Sequence, residues 1–349
     1  MKIAMGMGFF DGNPQKFAKR VQGLEASGVD LVWGGEIYGF DLGSSLAYLA
    51  GQTTTIELMT GIFPVYSRSP ALIAQVAATI DALSGGRFHL GLGTSGPQVI
   101  EGWHGLPYDK PLQRTREVIE ICRKVWNREP LIHDGKVYHL PLDEAHGGSG
   151  LGKPLKFMGQ LQRSDIPVWI AAIGPKNVEL AAEVAEGWQP IFFVPDKFRE
   201  VWGEAIRAGE AKRDAARGPL QIMGGGPVAI GGENDPYVKE GRERARANAG
   251  FYVGGMGARD KNFYNDLFCR YGWEAEAKEI QDLFLSGRRE EAFTKIPDAY
   301  LDMATMCGDE GFVRERIAVF KEAGVTHLLI EPVGENPREV IEKVKAWVD

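Results

Sequence analysis

Three short segments of this chain combine residue types that could do chemistry. The first, Trp33-Gly34-Gly35-Glu36, ends an apolar run in a carboxylate. A carboxyl group of suitable pKa can move a proton, although a salt bridge or a hydrogen bond to a loop amide would account for Glu36 equally well. The second, Gly91-Leu92-Gly93-Thr94-Ser95-Gly96, matches the Gly-x-Gly-x-x-Gly pattern of dinucleotide sites. That pattern needs a helix opening on the glycines and an acid about 20 residues later. Here Pro97, Gly102 and Pro107 follow, so the match reads instead as a glycine loop after a strand. The third, Gly174-Pro175-Lys176-Asn177, reads as a helix start, with proline at the first helical position. Free N–H groups and the helix dipole at such a start favour an anion. From the residues alone, an anion site and a plain helix start with a solvated lysine both stay open.

Other chemistries find no support. None of the six histidines forms a His-Glu-x-x-His pair, and no Gly-x-Ser-x-Gly elbow or P-loop occurs, so no metal is expected. Cys122, Cys269 and Cys307 are too far apart for a Cys-x-x-Cys motif, and their odd number argues against a disulfide framework. His89 and His327 lie within predicted strands, where a core imidazole is expected. Phe9, Phe10, Tyr38, Tyr66 and Trp103 are candidate walls for an apolar substrate pocket.

Glycine-ended helices followed by apolar strands recur along the chain. Leu24-Glu25-Ala26-Ser27-Gly28-Val29 and Lys321-Glu322-Ala323-Gly324-Val325 share this grammar, as do the stretches ending at Gly85 and Gly187. Strands alternating with helices imply parallel βαβ units covered on both faces. Roughly eight strands are predicted, at 2–8, 30–35, 56–63, 87–93, 166–173, 188–193, 220–230 and 326–331. Eight is the count of the (β/α)8 TIM barrel, whose active site lies at the carboxyl ends of the strands. The 349 residues are read as one α/β domain spanning 1–349, with insertions near 97–165 and 232–310. The first insertion includes a predicted hairpin at Leu131–Tyr138 turning on Asp134-Gly135 in a type I′ turn.

A net charge of −7 excludes a basic nucleic-acid footprint and an anionic membrane as partner. The amino terminus carries no apolar signal stretch, and a cytoplasmic setting is expected.

From Thr60-Gly61-Ile62-Phe63-Pro64-Val65-Tyr66-Ser67-Arg68-Ser69-Pro70 to Leu83-Ser84-Gly85-Gly86-Arg87-Phe88-His89-Leu90-Gly91-Leu92-Gly93, the chain resembles the luciferase-like monooxygenase superfamily. Ser95-Gly96-Pro97-Gln98-Val99-Ile100-Glu101-Gly102-Trp103, Gly150-Leu151-Gly152-Lys153, Gly174-Pro175-Lys176-Asn177 and Gly254-Gly255-Met256-Gly257 resemble its branch that uses coenzyme F420, a 5-deazaflavin. The resemblance implies the barrel, a flavin-type cofactor in its mouth and a homodimer. It implies a non-prolyl cis peptide at Gly61-Ile62 behind the ring. It also implies cofactor contacts from Gly93, Thr94, Ser95 and Gly96, and a phosphate site at Gly174, Pro175, Lys176 and Asn177. Several deazaflavin relatives place Asp-His after strand two and a Glu in the strand-four loop, where this chain has Gly35-Glu36 and Thr94-Ser95-Gly96. Sugar-phosphate dehydrogenase activity is therefore not carried over, and Glu36 is expected to handle the proton. Phe9, Tyr38, Tyr66 and Trp103 would meet the substrate, and Lys153, Lys156, Arg163, Arg259 and Lys261 would meet the anionic cofactor tail.

The expected activity is hydride transfer between F420 and a small organic substrate. An FMN-dependent monooxygenase using reduced flavin and oxygen, and a non-catalytic flavin-binding protein, are the rival readings. An aldolase-type barrel is disfavoured because no Lys stands at the predicted end of a barrel strand.

Overall fold

The computed structural model describes residues 1–348. Eight strands form the barrel: β1 (Lys2–Gly6), β2 (Leu31–Gly34), β3 (Glu57–Thr60), β4 (Phe88–Gly93), β5 (Val168–Ala171), β6 (Gly187–Gln189), β7 (Gln221–Ile230) and β8 (His327–Pro332). All neighbours pair in parallel, and β8 closes the ring onto β1 through Lys2↔His327 and Ala4↔Leu329. The eight strands predicted from the sequence are these eight. Strands three and six are shorter than expected. Strand three stops at Thr60, and after Gly61-Ile62 the pair Phe63–Pro64 joins β4. Strand six stops at Pro190, which cannot donate to a ladder. One further strand, Met306–Gly308, extends the sheet outside the ring beside β7.

The strands are covered outside by amphipathic helices such as Pro14–Ala26, Pro70–Ser84 and Pro111–Trp126. The glycine grammar works as a helix stop at Gly28, Gly85 and Gly324, which adopt φ of 88°, 70° and 92°. Gly187 departs from it. Its φ is not left-handed, and it serves close packing, because a Cβ there would sit 2.2 Å from the Trp169 ring.

Inside the ring, Ala4, Leu31, Met59, Trp169 and Met223 are buried together, with Trp33 and Leu329 packed against them. The interior is thus filled, as barrel cores are. Below this layer, at the amino ends of the strands, Trp169 Nε1 donates to His89 Nδ1 at 3.0 Å. His89 faces Glu57, which accepts from Lys2 at 2.6 Å. His327 meets Trp169 edge-on at 4.9 Å between centroids. Burial pushes the His327 imidazole down to about 3, which keeps it neutral. Both histidines are therefore structural, as their strand positions suggested.

Between β4 and β5 the chain forms helices Pro97–Gly102 and Pro111–Trp126 and a small hairpin pairing His133–Asp134 with His139–Leu140. The hairpin differs from the predicted one. Asp134 pairs with His139, so residues 135–138 form a four-residue loop instead of a two-residue type I′ turn. The reason is Glu117, a buried carboxylate that accepts from the backbone N–H groups of Lys136, Val137 and Tyr138 at 2.8, 3.1 and 2.9 Å. Burial alone would raise its carboxyl. Hydrogen bonds from Gln113 and from these three amides outweigh burial and bring it down to about 2.

A folded pKa below the ordinary 4.5 means this carboxylate stabilises the fold fully above pH 4.5, and that contribution is lost as pH falls toward 2. Glu117→Ala is expected to lower the unfolding free energy by about 2–3 kcal/mol at neutral pH. It should also flatten the acid limb of a urea stability–pH profile. An acid limb of unchanged depth in the variant would assign the hairpin's support to other residues.

Between β7 and β8 lie the long helix Pro236–Gly255, four shorter helices and the helix Glu310–Glu322. The first two residues of the motif Gly254-Gly255-Met256-Gly257 complete the long helix and pack on Phe284. Among the described residues, no helix is long and apolar enough to cross a membrane.

Candidate active site

The carboxyl ends of the barrel strands open into a cavity of about 1750 Å³. Segments 61–62, 93–96 and 174–177 line it together, with Glu36, Phe9, Tyr38 and Trp103. The Gly61–Ile62 peptide is cis, as the resemblance implied.

Glu36 reaches the cavity wall, but its carboxylate is already engaged. Arg68 donates to Oε1 at 2.5 Å and to Oε2 at 2.7 Å, and the Ser67 hydroxyl lies 3.2 Å from Oε1. Arg68 also holds Asp41 and covers the Phe63 ring at 4.2 Å. The loop after β2 is clasped to the segment after β3 by this bidentate pair, the strong geometry for such contacts. Both oxygens of Glu36, the residue expected to handle the proton, are held in this clasp.

The helix Pro175–Val184 opens toward the cavity at Gly174, with no side chain capping it. Asn177 sits in its first turn, and its buried Oδ1 finds no partner among the described residues. Since amide oxygen and nitrogen are assigned from surroundings, the Asn177 amide is free to turn its NH2 toward an anion. The neighbouring β4 loop holds Ser95 at φ 55°, an uncommon value for a side-chain-bearing residue and one that recurs at ligand sites. Deeper in, the buried Trp33 Nε1 and Gln189 Oε1 also lack partners among the described residues. Both side chains flank Gly61, where a Cβ would lie 2.8 Å from Trp33 Cε3 and 3.0 Å from Gln189 Nε2. An unpaired buried donor or acceptor costs about 1–3 kcal/mol, so this floor is built for a polar ligand. The donor, the acceptor and the uncapped helix start fit a flat heterocycle with ring N–H and carbonyl groups and an attached phosphate.

Other predicted residues lie elsewhere. Tyr66 is only 4% exposed and misses the cavity. Its hydroxyl donates to the Asp109 carbonyl at 2.8 Å and its ring stacks on Tyr108, which does line the cavity. Phe10 packs between Phe17 and Phe40, away from the mouth. Arg163 binds Asp81 and the Phe88 carbonyl, at the amino end of β4 and the wrong end of the barrel for a cofactor tail. Arg259 is paired with Asp282, and Lys153 and Lys156 do not line the cavity. Of the five cations only Lys261 does, where it is joined by Lys176 and Arg244.

Gln189 and Glu331 are among the polar cavity residues that escaped sequence reading. Gln189 ends β6, and a polar residue closing the apolar run Gly187-Trp188 was the available signal. Glu331 lies near the end of β8, and counting by twos from His327 would have placed it on the inward face. The aromatic group Phe192, Tyr252 and Tyr264 comes from three distant segments, with centroids 4.8 to 6.2 Å apart, and no local pattern announces it.

The family profile of the luciferase-like monooxygenases matches residues 6–327, and the chain belongs to that family. It is 40% identical over 340 residues to a protein named as a coenzyme F420-dependent oxidoreductase in Mycobacterium tuberculosis, covering 95% of this chain and 94% of the relative. It is 30% identical over 328 residues to 5,10-methylenetetrahydromethanopterin reductase of Archaeoglobus fulgidus, covering 92% and 90%. Among solved structures, the coenzyme F420-dependent tetrahydromethanopterin reductase of Methanopyrus kandleri aligns with a TM-score of 0.76 over 99% of this chain and 97% of that one. At 24% identity, this is a likeness of fold.

Proposed function

We propose that this chain is a coenzyme F420-dependent oxidoreductase that transfers hydride between the deazaflavin and a small organic substrate. The observation that carries the reading is the set of unpaired polar groups that line the cavity. Trp33 and Gln189 lie at the floor beside Gly61, and Asn177 stands at the uncapped helix start. A deazaflavin has carbon where a flavin has N5, so it supplies hydride chemistry and reacts poorly with oxygen. In this chain the Gln189 carboxamide oxygen would take a ring N–H, and the Trp33 indole would donate to a ring carbonyl. The start of helix Pro175–Val184 would hold the phosphate. Lys176, Lys261 and Arg244 would face the anionic tail at the mouth. The wall of Phe9, Tyr38 and Trp103, exposed at 64%, 65% and 63%, offers an apolar surface to substrate. A homodimer, which the family resemblance implies, and a cytoplasmic setting, expected from the sequence, belong to the same reading.

The family also includes the monooxygenases that give it its name, so FMN is the comparison to make. Titration of the purified protein is expected to show F420 binding about 10-fold more tightly than FMN at low salt. Each exposed cation contributes only about 0–1 kcal/mol, so the preference needs several together. It should shrink as salt screens the tail. Equal or tighter FMN binding with oxygen-dependent turnover would replace this reading with the monooxygenase. Tight binding without transfer from any donor would make the chain a flavin-binding protein.

A further inference from the structure

Phe192 breaks a backbone rule. Its φ is 51°, in the left-handed region that a bulky side chain enters only under constraint. The constraint is Tyr271, a fully buried phenol whose hydroxyl donates to the Phe192 carbonyl at 2.6 Å and accepts from Val194 N–H at 3.3 Å. Strain of this kind gathers at ligand sites. Phe192 lines the cavity three residues beyond Gln189, the end of β6, so it stands on the mouth side of the floor groups. Two tyrosines complete a corner around it. Tyr252, in the helix Pro236–Gly255, and Tyr264, in the helix Phe263–Arg270, also line the cavity. Their ring centroids lie 5.4 and 6.2 Å from that of Phe192 and 4.8 Å from each other, at interplanar angles of 75°, 80° and 75°. Asn262, only 2% exposed, ties the two tyrosines together. Its Nδ2 donates to the Tyr252 and Val253 carbonyls at 3.2 and 2.9 Å. Its Oδ1 accepts from Tyr264 N and Asn265 N at 3.0 and 3.1 Å, so the whole carboxamide is spent on this junction.

Core packing alone does not account for this corner. Phe268 and Tyr271 behind it are completely buried, whereas Phe192, Tyr252 and Tyr264 all keep surface open. The Tyr252 and Tyr264 hydroxyls find no hydrogen-bond partner among the described residues. Burial pushes both phenols up, Tyr264 to about 12, so each keeps a proton to donate. Three near-perpendicular rings let a fourth lie flat on one and edge-on to another, the arrangements that aromatic quadrupoles favour. Lys176 and Lys261 line the same cavity, which disfavours a cationic guest. In the eight-stranded ring β6 lies across from β2, so the corner faces the wall that holds Tyr38.

We propose that Phe192, Tyr252 and Tyr264 form the subsite that selects the substrate, and that the substrate carries a flat, uncharged, conjugated ring bearing a hydrogen-bond acceptor. The rings of the corner would hold the flat face, and the two phenols would donate to the acceptor. The proposal rests on the F420 reading in one respect: the cofactor takes the floor and the helix start, which leaves the corner to the second ligand.

Ligand-observed NMR titration of three probes of similar size tests this, on the protein alone and on the protein loaded with F420. Acetophenone has both a flat ring and an acceptor, cyclohexyl methyl ketone has only the acceptor, and ethylbenzene has only the ring. Acetophenone is expected to bind about 10-fold more tightly than either of the others, with F420 present or absent. Phe192→Leu should erase its advantage over cyclohexyl methyl ketone. The double variant Tyr252→Phe, Tyr264→Phe keeps every ring and should erase its advantage over ethylbenzene. Circular dichroism establishes that each variant is folded; should Phe192→Leu not fold, the parent and the double variant still decide. Equal binding of the three probes by the parent overturns the proposal, as do parent-like preferences in the folded variants. Displacement of acetophenone by F420 also overturns it, by giving the corner to the cofactor. Failure of the parent to bind F420 would strike the cofactor reading alone, because the probe affinities of the unloaded protein need no cofactor.

Discussion

Replacing Gly91 by alanine leaves little folded protein. Gly91 lies in the middle of β4, and an added Cβ would stand 1.8 Å from the Thr60 carbonyl oxygen and 2.9 Å from its carbon. Both obstacles are backbone, so no rotamer change relieves them. The same two residues are joined by a pair of hydrogen bonds, from Gly91 N to Thr60 Oγ1 and from Thr60 Oγ1 to the Gly91 carbonyl, each 2.8 Å. Forcing β3 and β4 apart breaks both and opens the ring where the glycine loop begins. A cost of about 4 kcal/mol or more is expected, against a total stability of roughly 5–15 kcal/mol for a typical domain. Soluble yield and the urea midpoint report it. A midpoint close to that of the parent would mean the barrel absorbs the clash by a shift the structure does not suggest.

Gly61→Ala is expected to separate stability from cofactor affinity. Its Cβ would meet Trp33 Cε3 at 2.8 Å and the Gln189 amide at 3.0 and 3.1 Å. These are side-chain atoms that can move, so the protein folds, at a cost of about 1–3 kcal/mol. Movement displaces the two unpaired groups proposed to grip the ring, and F420 affinity should fall about 100-fold, equivalent to roughly 2.7 kcal/mol. Fluorescence titration with F420 beside a thermal melt measures both quantities. Unchanged affinity would remove Gly61, Trp33 and Gln189 from the cofactor floor.

The barrel was legible because its signals are local. A strand of alternating or continuous apolar residues and a glycine after each helix are written within ten residues of each other, as at Ser27-Gly28 to Trp33. The same locality made the glycine loop at 93–96 and the helix start at 174–177 visible as segments. What stayed hidden depends on partners far apart in sequence. A salt bridge at Glu36 was open from the sequence, but its partner was not legible because Arg68 stands 32 residues away, and Arg163 looked like a cation for the cofactor tail because Asp81 is 82 residues distant. Tyr66 was read as pocket wall from its hydrophobic body, yet Tyr108 covers it from another loop. The turn at Asp134-Gly135 followed its dipeptide in the prediction and Glu117 in the fold.

The packed layer around Trp169, with the histidines beneath it, has a kinetic meaning. It stoppers the barrel, so the cavity is a blind alley entered only from the carboxyl ends of the strands. Whatever occupies the floor beside Gly61 must arrive before anything that rests above it, and must wait for that second guest to depart. Traffic through a single doorway of this kind is first in, last out, and a large molecule bound at the threshold would halt exchange of both.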